Sequence, residues 1–101
     1  MTREEEIHSL LQGVFSQERQ RIKGYTVLLF GSRARGDAKG RSDFDVGVIG
    51  AAPMPLEDFY HLADRLDRLP TLYRIDWVDL ARASEGFCRH ALAESKVIHE
   101  G

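Results

Sequence analysis

The chain has 101 residues and a mass of 11.5 kDa, the size of one domain, and we expect residues 1–101 to form a single one. Hydrophobic residues make up 43% of the chain and charged residues 30%, which excludes disordered, collagen-like and coiled-coil proteins. The net charge of −2 does not indicate an extended surface for nucleic acid. No run approaches the roughly 20 apolar residues of a membrane span, and the start of the chain is acidic, so we expect a cytoplasmic protein.

An amphipathic helix is predicted over about residues 3–22. Thr2 and Glu5 have the spacing of a capping box, and Gly24 is a plausible stop after the helix. Between them, apolar residues recur at helical spacing, as expected of a helix that buries one face. These residues are Ile7, Leu10, Leu11, Val14 and Phe15.

The remaining elements alternate between strands and helices. Residues 25–30 form an apolar, β-rich run, which predicts a strand buried on both faces, and a polar segment with three glycines follows over residues 31–42. The later elements are a strand over 43–49, a helix over 59–69 ended by Pro70, a strand over 72–78, a helix around 87–92 and a short edge strand at 97–98. This order predicts an α/β domain in which helices pack on one small sheet.

Two acidic residues share one face of the second predicted strand. Asp43 and Asp45 are two positions apart, about 6.6 Å along a strand, whereas Phe44 and Val46 point to the other face and suit a core. Two carboxylates this close repel each other unless a cation lies between them. A pair of divalent cations about 3.5–4 Å apart is the usual occupant of such a site. Mg²⁺ suits the arrangement because it prefers hard oxygen ligands.

The third predicted strand supplies a candidate third carboxylate. If this strand neighbours the second and turns Ile75 and Trp77 to the core, Asp76 projects beside the first two acids. Asp79 has the opposite parity, and its expected role is to turn or cap the chain after the strand.

The polar segment over residues 31–42 is typical of a phosphate-binding loop. Gly31 and Ser32 directly follow a buried strand and could open a helical turn, where a glycine lets the backbone approach a phosphate closely. The segment has four basic residues and one acidic residue, so its net charge is +3. It is not a Walker A loop, because Gly36 is followed by Asp37 instead of lysine.

These residues carry a resemblance to a known family. Gly31-Ser32, ten residues and then Asp43-Phe44-Asp45 resemble the GS-x₁₀-D-x-D signature of the minimal nucleotidyltransferases, which belong to the polymerase-β-like superfamily. Residues 74–80 are similar to the strand that bears the family's third acid, and the resemblance covers about residues 7–100. It implies the polymerase-β-like palm fold, an α+β arrangement with a small mixed sheet.

The resemblance also implies roles for individual residues. Asp43 and Asp45 resemble the two metal-binding acids, and Asp76 resembles the third, which also serves as the base for the attacking hydroxyl. The resemblance implies a nucleotide- and phosphate-binding set of Gly31, Ser32, Arg33, Arg35 and Ser42.

The implied reaction is transfer of a nucleoside monophosphate, AMP from ATP, to a hydroxyl group, with two Mg²⁺ ions. The chain is too short for the extra helical domain of larger relatives, so the resemblance implies a separate partner, typically a helical HEPN toxin that is adenylylated by this antitoxin. Two alternatives stay open: neutralisation of such a toxin by binding, and modification of a small molecule, as aminoglycoside nucleotidyltransferases do. A homo-oligomer also stays open.

Overall fold

The computed structural model describes residues 3–35 and 43–101. The predicted capping residue Thr2 and the nucleotide-binding candidate Ser42 lie outside these ranges. The elements are α1 (Arg3–Gln17), β1 (Thr26–Phe30), α2 (Ser32–Arg35), β2 (Phe44–Ile49), α3 (Leu56–Asp67), β3 (Ile75–Asp79), α4 (Glu85–Ala93) and β4 (Lys96–Glu100). Their order confirms the predicted succession of helices and strands.

The four strands form one mixed sheet in the order β3-β2-β1-β4. β1 pairs antiparallel with both β2 and β4, whereas β2 and β3 run parallel. A parallel pair needs a crossover, and α3 provides it between β2 and β3. The arrangement confirms the predicted small mixed sheet and the α+β class.

The first strand is buried on both faces, as predicted. Val27 and Leu29 belong to a hydrophobic cluster with α1 and α3, whereas Leu28 and Phe30 belong to a second cluster with Ala91 of α4. Alternation of side chains along a strand explains this division. Helices therefore cover parts of both faces of the sheet.

The first helix is shorter than predicted. It ends at Gln17 instead of residue 22, and the chain continues in turns as far as Gly24, whose φ is +85°. The carbonyl of Glu18 accepts from the amide of Arg21 at 2.9 Å and from that of Ile22 at 3.3 Å, so three- and four-residue hydrogen bonds mix and the regular α-helix ends. Ile22, which would have continued the apolar stripe, is still fully buried.

The third strand begins later than predicted, at Ile75 instead of residue 72. Leu72 is fully exposed, and the amide of Tyr73 donates to the hydroxyl of Thr71 at 3.1 Å. This local bond competes with strand pairing and keeps the segment in a turn.

β4 is longer than the predicted edge strand at 97–98. In the two described ranges, no helix is long and apolar enough to cross a membrane.

Candidate active site

The parallel pairing of β2 and β3 brings two of the predicted acids together. Asp45 and Asp76 are register partners, on strands that lie about 4.8 Å apart in a sheet. The adjacent partners Val46 and Trp77 belong to the α1–α3 core, so the two carboxylates project from the other face. Both acids are partly exposed. This placement of Asp76 beside Asp45 agrees with the sequence analysis.

Asp43 lies two residues before Asp45, directly ahead of β2. It precedes β2 instead of lying within it, and its side chain is exposed. The amide of the next residue, Phe44, donates to the carbonyl of Arg74 at 2.9 Å, which joins the start of β2 to the chain before β3. Among the residues that the structure describes, no three His, Cys, Asp or Glu side chains are grouped closely enough to hold a metal ion.

Gly31 lies against the carboxylate of Asp45. It directly follows Phe30, the register partner of Asp45 on β1, and its φ is +75°. A Cβ atom at this position would collide with Oδ2 of Asp45. The backbone conformation therefore favours glycine here, and any larger residue would displace the carboxylate of Asp45.

The predicted helical turn after Gly31 is confirmed as α2. Ser32 is its first residue and Arg35 its last, and the amide of Ala34 donates to the carbonyl of Gly31 at 3.1 Å. Gly31, at the end of β1, thus joins the backbone beside Asp45 to α2.

Arg33 has contacts on the α1 side of the sheet. Its side chain is 6% exposed, and its guanidinium is 2.9 Å from Oε1 of Glu4 and lies over the rings of Phe44 and Tyr73, at 4.4 and 5.0 Å. Phe44 points to the α1–α3 core, opposite to Asp45. A buried cation needs such partners, and these contacts dock α2 against α1.

Arg74 is a neighbour of the candidate third acid that the sequence analysis did not single out. Its Nε lies 3.1 Å from Oδ1 of Asp76, so a cation adjoins the candidate third acid. The available signal was the pair of opposite charges two positions apart, which share one face of the strand predicted over 72–78.

A second missed feature is a cavity of about 190 Å³ that adjoins Gly31. It lies between the end of β1 and α4 and is lined by Phe30, Gly31, Phe87, His90, Ala91 and Glu94. The sequence pattern of α4 contains no signal for this position, because only tertiary packing places the helix over β1.

Asp79 has the structural role that its parity predicted. It is 5% exposed, its Oδ1 accepts from the amide of Ala81 at 3.0 Å, and its Oδ2 accepts from the amide of Met54 at 2.8 Å. Arg82 forms an ion pair with the same carboxylate. Asp79 therefore turns the chain after β3 and anchors the segment before α3.

Comparison with known proteins gives matches over most of the chain. Residues 11–101 match the family model for polymerase beta nucleotidyltransferases. Over 68 residues, the chain is 35% identical to the probable protein adenylyltransferase MntA of Haemophilus influenzae. That match covers 67% of this chain and 60% of the Haemophilus protein.

Two solved structures share the fold. A toxin–antitoxin crystal structure with AMP-PNP matches with a TM-score of 0.63 and 25% identity, over 93% of this chain and 73% of the matched chain. A complex of a tri-AMPylated Shewanella oneidensis HEPN toxin with an MNT antitoxin matches with the same TM-score and coverage at 23% identity, which supports a shared fold alone.

Proposed function

The chain belongs to the polymerase beta nucleotidyltransferase family, and from this premise we propose that it transfers AMP from ATP to a hydroxyl group on a partner protein. The observation that carries the proposal is the pairing of Asp45 with Asp76, with the backbone of Gly31 against the first carboxylate. The name of the Haemophilus relative supports a protein as the acceptor. The AMP-PNP in the similar toxin–antitoxin structure supports an adenine nucleotide as the donor.

The acids are suited to Mg²⁺. Asp45 and Asp76 are strand neighbours, so their like charges repel, and carboxylate oxygens are the ligands that Mg²⁺ prefers. Asp43, with an exposed carboxylate just before β2, is the third proposed ligand, and in this structure the three acids are not yet grouped closely enough to hold an ion together. When bound, Mg²⁺ supplies stabilisation of the negative charge on the transferred and leaving phosphates.

The residues of this chain have separate parts in the proposed reaction. The acceptor oxygen attacks the α-phosphorus and forms a new P–O bond. The bond between the α-phosphorus and the oxygen that bridges to the β-phosphorus breaks, and pyrophosphate leaves with the electron pair of that bond. Asp76 takes the proton of the acceptor hydroxyl and passes it to water. Gly31 and Ser32 hold the β- and γ-phosphates through their backbone, which the absence of a side chain at Gly31 leaves accessible.

The proposed acceptor is a helical HEPN toxin, which makes this chain the antitoxin. The similar toxin–antitoxin structure with AMP-PNP supports a toxin partner by analogy, and the resemblance of the Gly31-Ser32 and Asp43-Phe44-Asp45 motif to the minimal nucleotidyltransferases supports a HEPN toxin. The reaction consumes ATP, so we place it in the cytoplasm.

The test is a transfer assay with α-labelled ATP, Mg²⁺ and the product of the neighbouring gene. Asp43→Asn and Asp45→Asn are the informative variants, and Asp64→Asn is the matched control. Asp64 is an exposed acid of α3 that pairs with Arg68 at the surface, so its neutralisation leaves the carboxylate pair intact. We expect label on the partner with the wild type and the control, and at least a hundredfold less with either informative variant, as for groups that stabilise transition-state charge.

Other outcomes assign the chain differently. A stable complex of the two proteins without transfer of label indicates neutralisation by binding. Neither label nor complex indicates a small-molecule acceptor, to be sought with aminoglycosides in the same assay.

A further inference from the structure

We propose that the cavity between the end of β1 and α4 binds the nucleobase of the nucleotide donor. This inference rests on the proposed function, because it assigns a place to one part of the proposed substrate. It makes Phe87 a specificity-determining residue, although the sequence of α4 contains no motif that indicates nucleotide binding.

The position of the cavity supports the assignment. Gly31 lines the cavity and also lies against the carboxylate of Asp45. Gly31 therefore adjoins both the proposed phosphate site and the cavity, and a nucleotide that folds back over Gly31 places its base against α4. The helix is held there by Ala91, which is 4% exposed and packs with Leu28 and Phe30.

The size of the cavity suits a base and not a whole nucleotide. Its volume is about 190 Å³, below the roughly 300–1,000 Å³ of sites that enclose a complete small molecule. A ring system fits inside it, while the charged phosphates stay outside, next to the acids. This division keeps the phosphate charge away from the apolar lining.

The lining suits a flat aromatic group. The ring of Phe87 meets Phe30 edge-on, with centroids 5.8 Å apart and an interplanar angle of 89°. Phe87 is nevertheless 46% exposed, so part of its ring is available for stacking. His90 of α4 and Glu94, which directly follows the helix, also line the cavity, and the imidazole of His90 is a polar group that can meet the polar edge of a base.

The test measures the affinity of two probes by calorimetry in the presence of Mg²⁺. AMP-PNP carries a base, whereas inorganic tripolyphosphate carries none. Phe87→Ala is the informative variant, and Leu92→Ala is the matched control, because Leu92 is 40% exposed on the same helix and lies outside the cavity. Phe87→Tyr retains the ring.

We expect Phe87→Ala to weaken AMP-PNP binding about tenfold, which corresponds to about 1.4 kcal/mol. The control and Phe87→Tyr should bind AMP-PNP as the wild type does, and all four proteins should bind tripolyphosphate equally. Equal AMP-PNP binding by the wild type and Phe87→Ala overturns the base site and leaves the proposed function standing. A parallel loss of tripolyphosphate binding also overturns it, and absence of AMP-PNP binding to the wild type removes the proposed function as well.

Discussion

Gly31 links the backbone after β1 to the carboxylate of Asp45. In Gly31→Ala, the positive φ costs about 1–2 kcal/mol and the new Cβ collides with the carboxylate. Gly24→Ala separates the two effects, because φ there is also positive, at +85°, while no atom lies within 4 Å of the added Cβ. We expect both variants to lose stability in urea unfolding, and only Gly31→Ala to lose transfer activity, by at least tenfold.

A similar loss of activity in both glycine variants would contradict this account. It would show that general destabilisation, rather than displacement of the Asp45 carboxylate, limits the reaction.

Asp79 stabilises the fold, whereas Asp76, three residues earlier, is proposed to act in the reaction. Asparagine at position 79 would place an amide group where the carboxylate now accepts from the amides of Met54 and Ala81. We expect Asp79→Asn to lower the free energy of unfolding by about 1–3 kcal/mol, because a buried donor is left without an acceptor. Nucleotide affinity of the folded variant, measured by calorimetry, should be unchanged.

Asp76→Asn should have the opposite effect to Asp79→Asn, with activity lost and stability kept. Its side chain is 36% exposed, so we expect a change in stability within about 0.5 kcal/mol together with loss of transfer. If this variant unfolds while Asp79→Asn abolishes transfer at full stability, the two assignments must be exchanged.

Among the elements, α3 is joined to the turns that follow α1 by a cluster of charges around Glu18. Its carboxylate accepts from His61 and Arg65 and forms an ion pair with Arg21, which also pairs with Asp58. Burial acts to raise the pKa of Glu18, but the hydrogen bond from His61 and the charges of the three basic neighbours outweigh it. The pKa of Glu18 therefore lies below its ordinary value.

A lowered pKa makes the contribution of Glu18 to stability depend on pH. The contribution is fully present above the pKa of an unfolded glutamate, about 4.3, and is lost as the pH falls through the lower pKa of the folded state. We expect Glu18→Gln to be less stable than the wild type at pH 6, with the difference shrinking as the pH falls towards 3. Urea unfolding of both proteins across this range is the measurement. A difference that stays constant with pH would contradict the role of the charge.

In the molecule as a whole, β1 is shared by both hydrophobic clusters. Leu28 belongs to the α4 side, whereas Trp77, the single tryptophan, stacks between Phe15 and Phe59 on the other side. We expect Leu28→Ala to cost about 2–5 kcal/mol and to lower the unfolding midpoints of Trp77 fluorescence and far-UV circular dichroism together. Such agreement indicates that the two clusters unfold as one unit.

Leu72→Ala is the control for this experiment, because Leu72 is fully exposed and its truncation should change stability by no more than about 0.5 kcal/mol. A fluorescence midpoint that does not move in Leu28→Ala would show that the α1–α3 side unfolds independently.

The sequence by itself determined the elements and the face on which the acids lie. Phe44, Asp45 and Val46 alternate, and a strand with one buried face must then turn the carboxylate away from the core. The same parity argument placed Asp76 on the face of Asp45 and Asp79 in a turn. These inferences hold because side-chain direction along a strand is a local property of the backbone.

Only the tertiary structure decided which groups meet across the fold. Arg33 lies within a basic, glycine-rich motif, yet it is buried against Phe44 and Glu4, because a partner on α1 stabilises a cation that α2 turns inward. The contact between Gly31 and the carboxylate of Asp45, and the position of α4 over β1, likewise depend on residues far apart in the chain. Such contacts depend on how elements pack, and the pattern of any single segment does not contain that information.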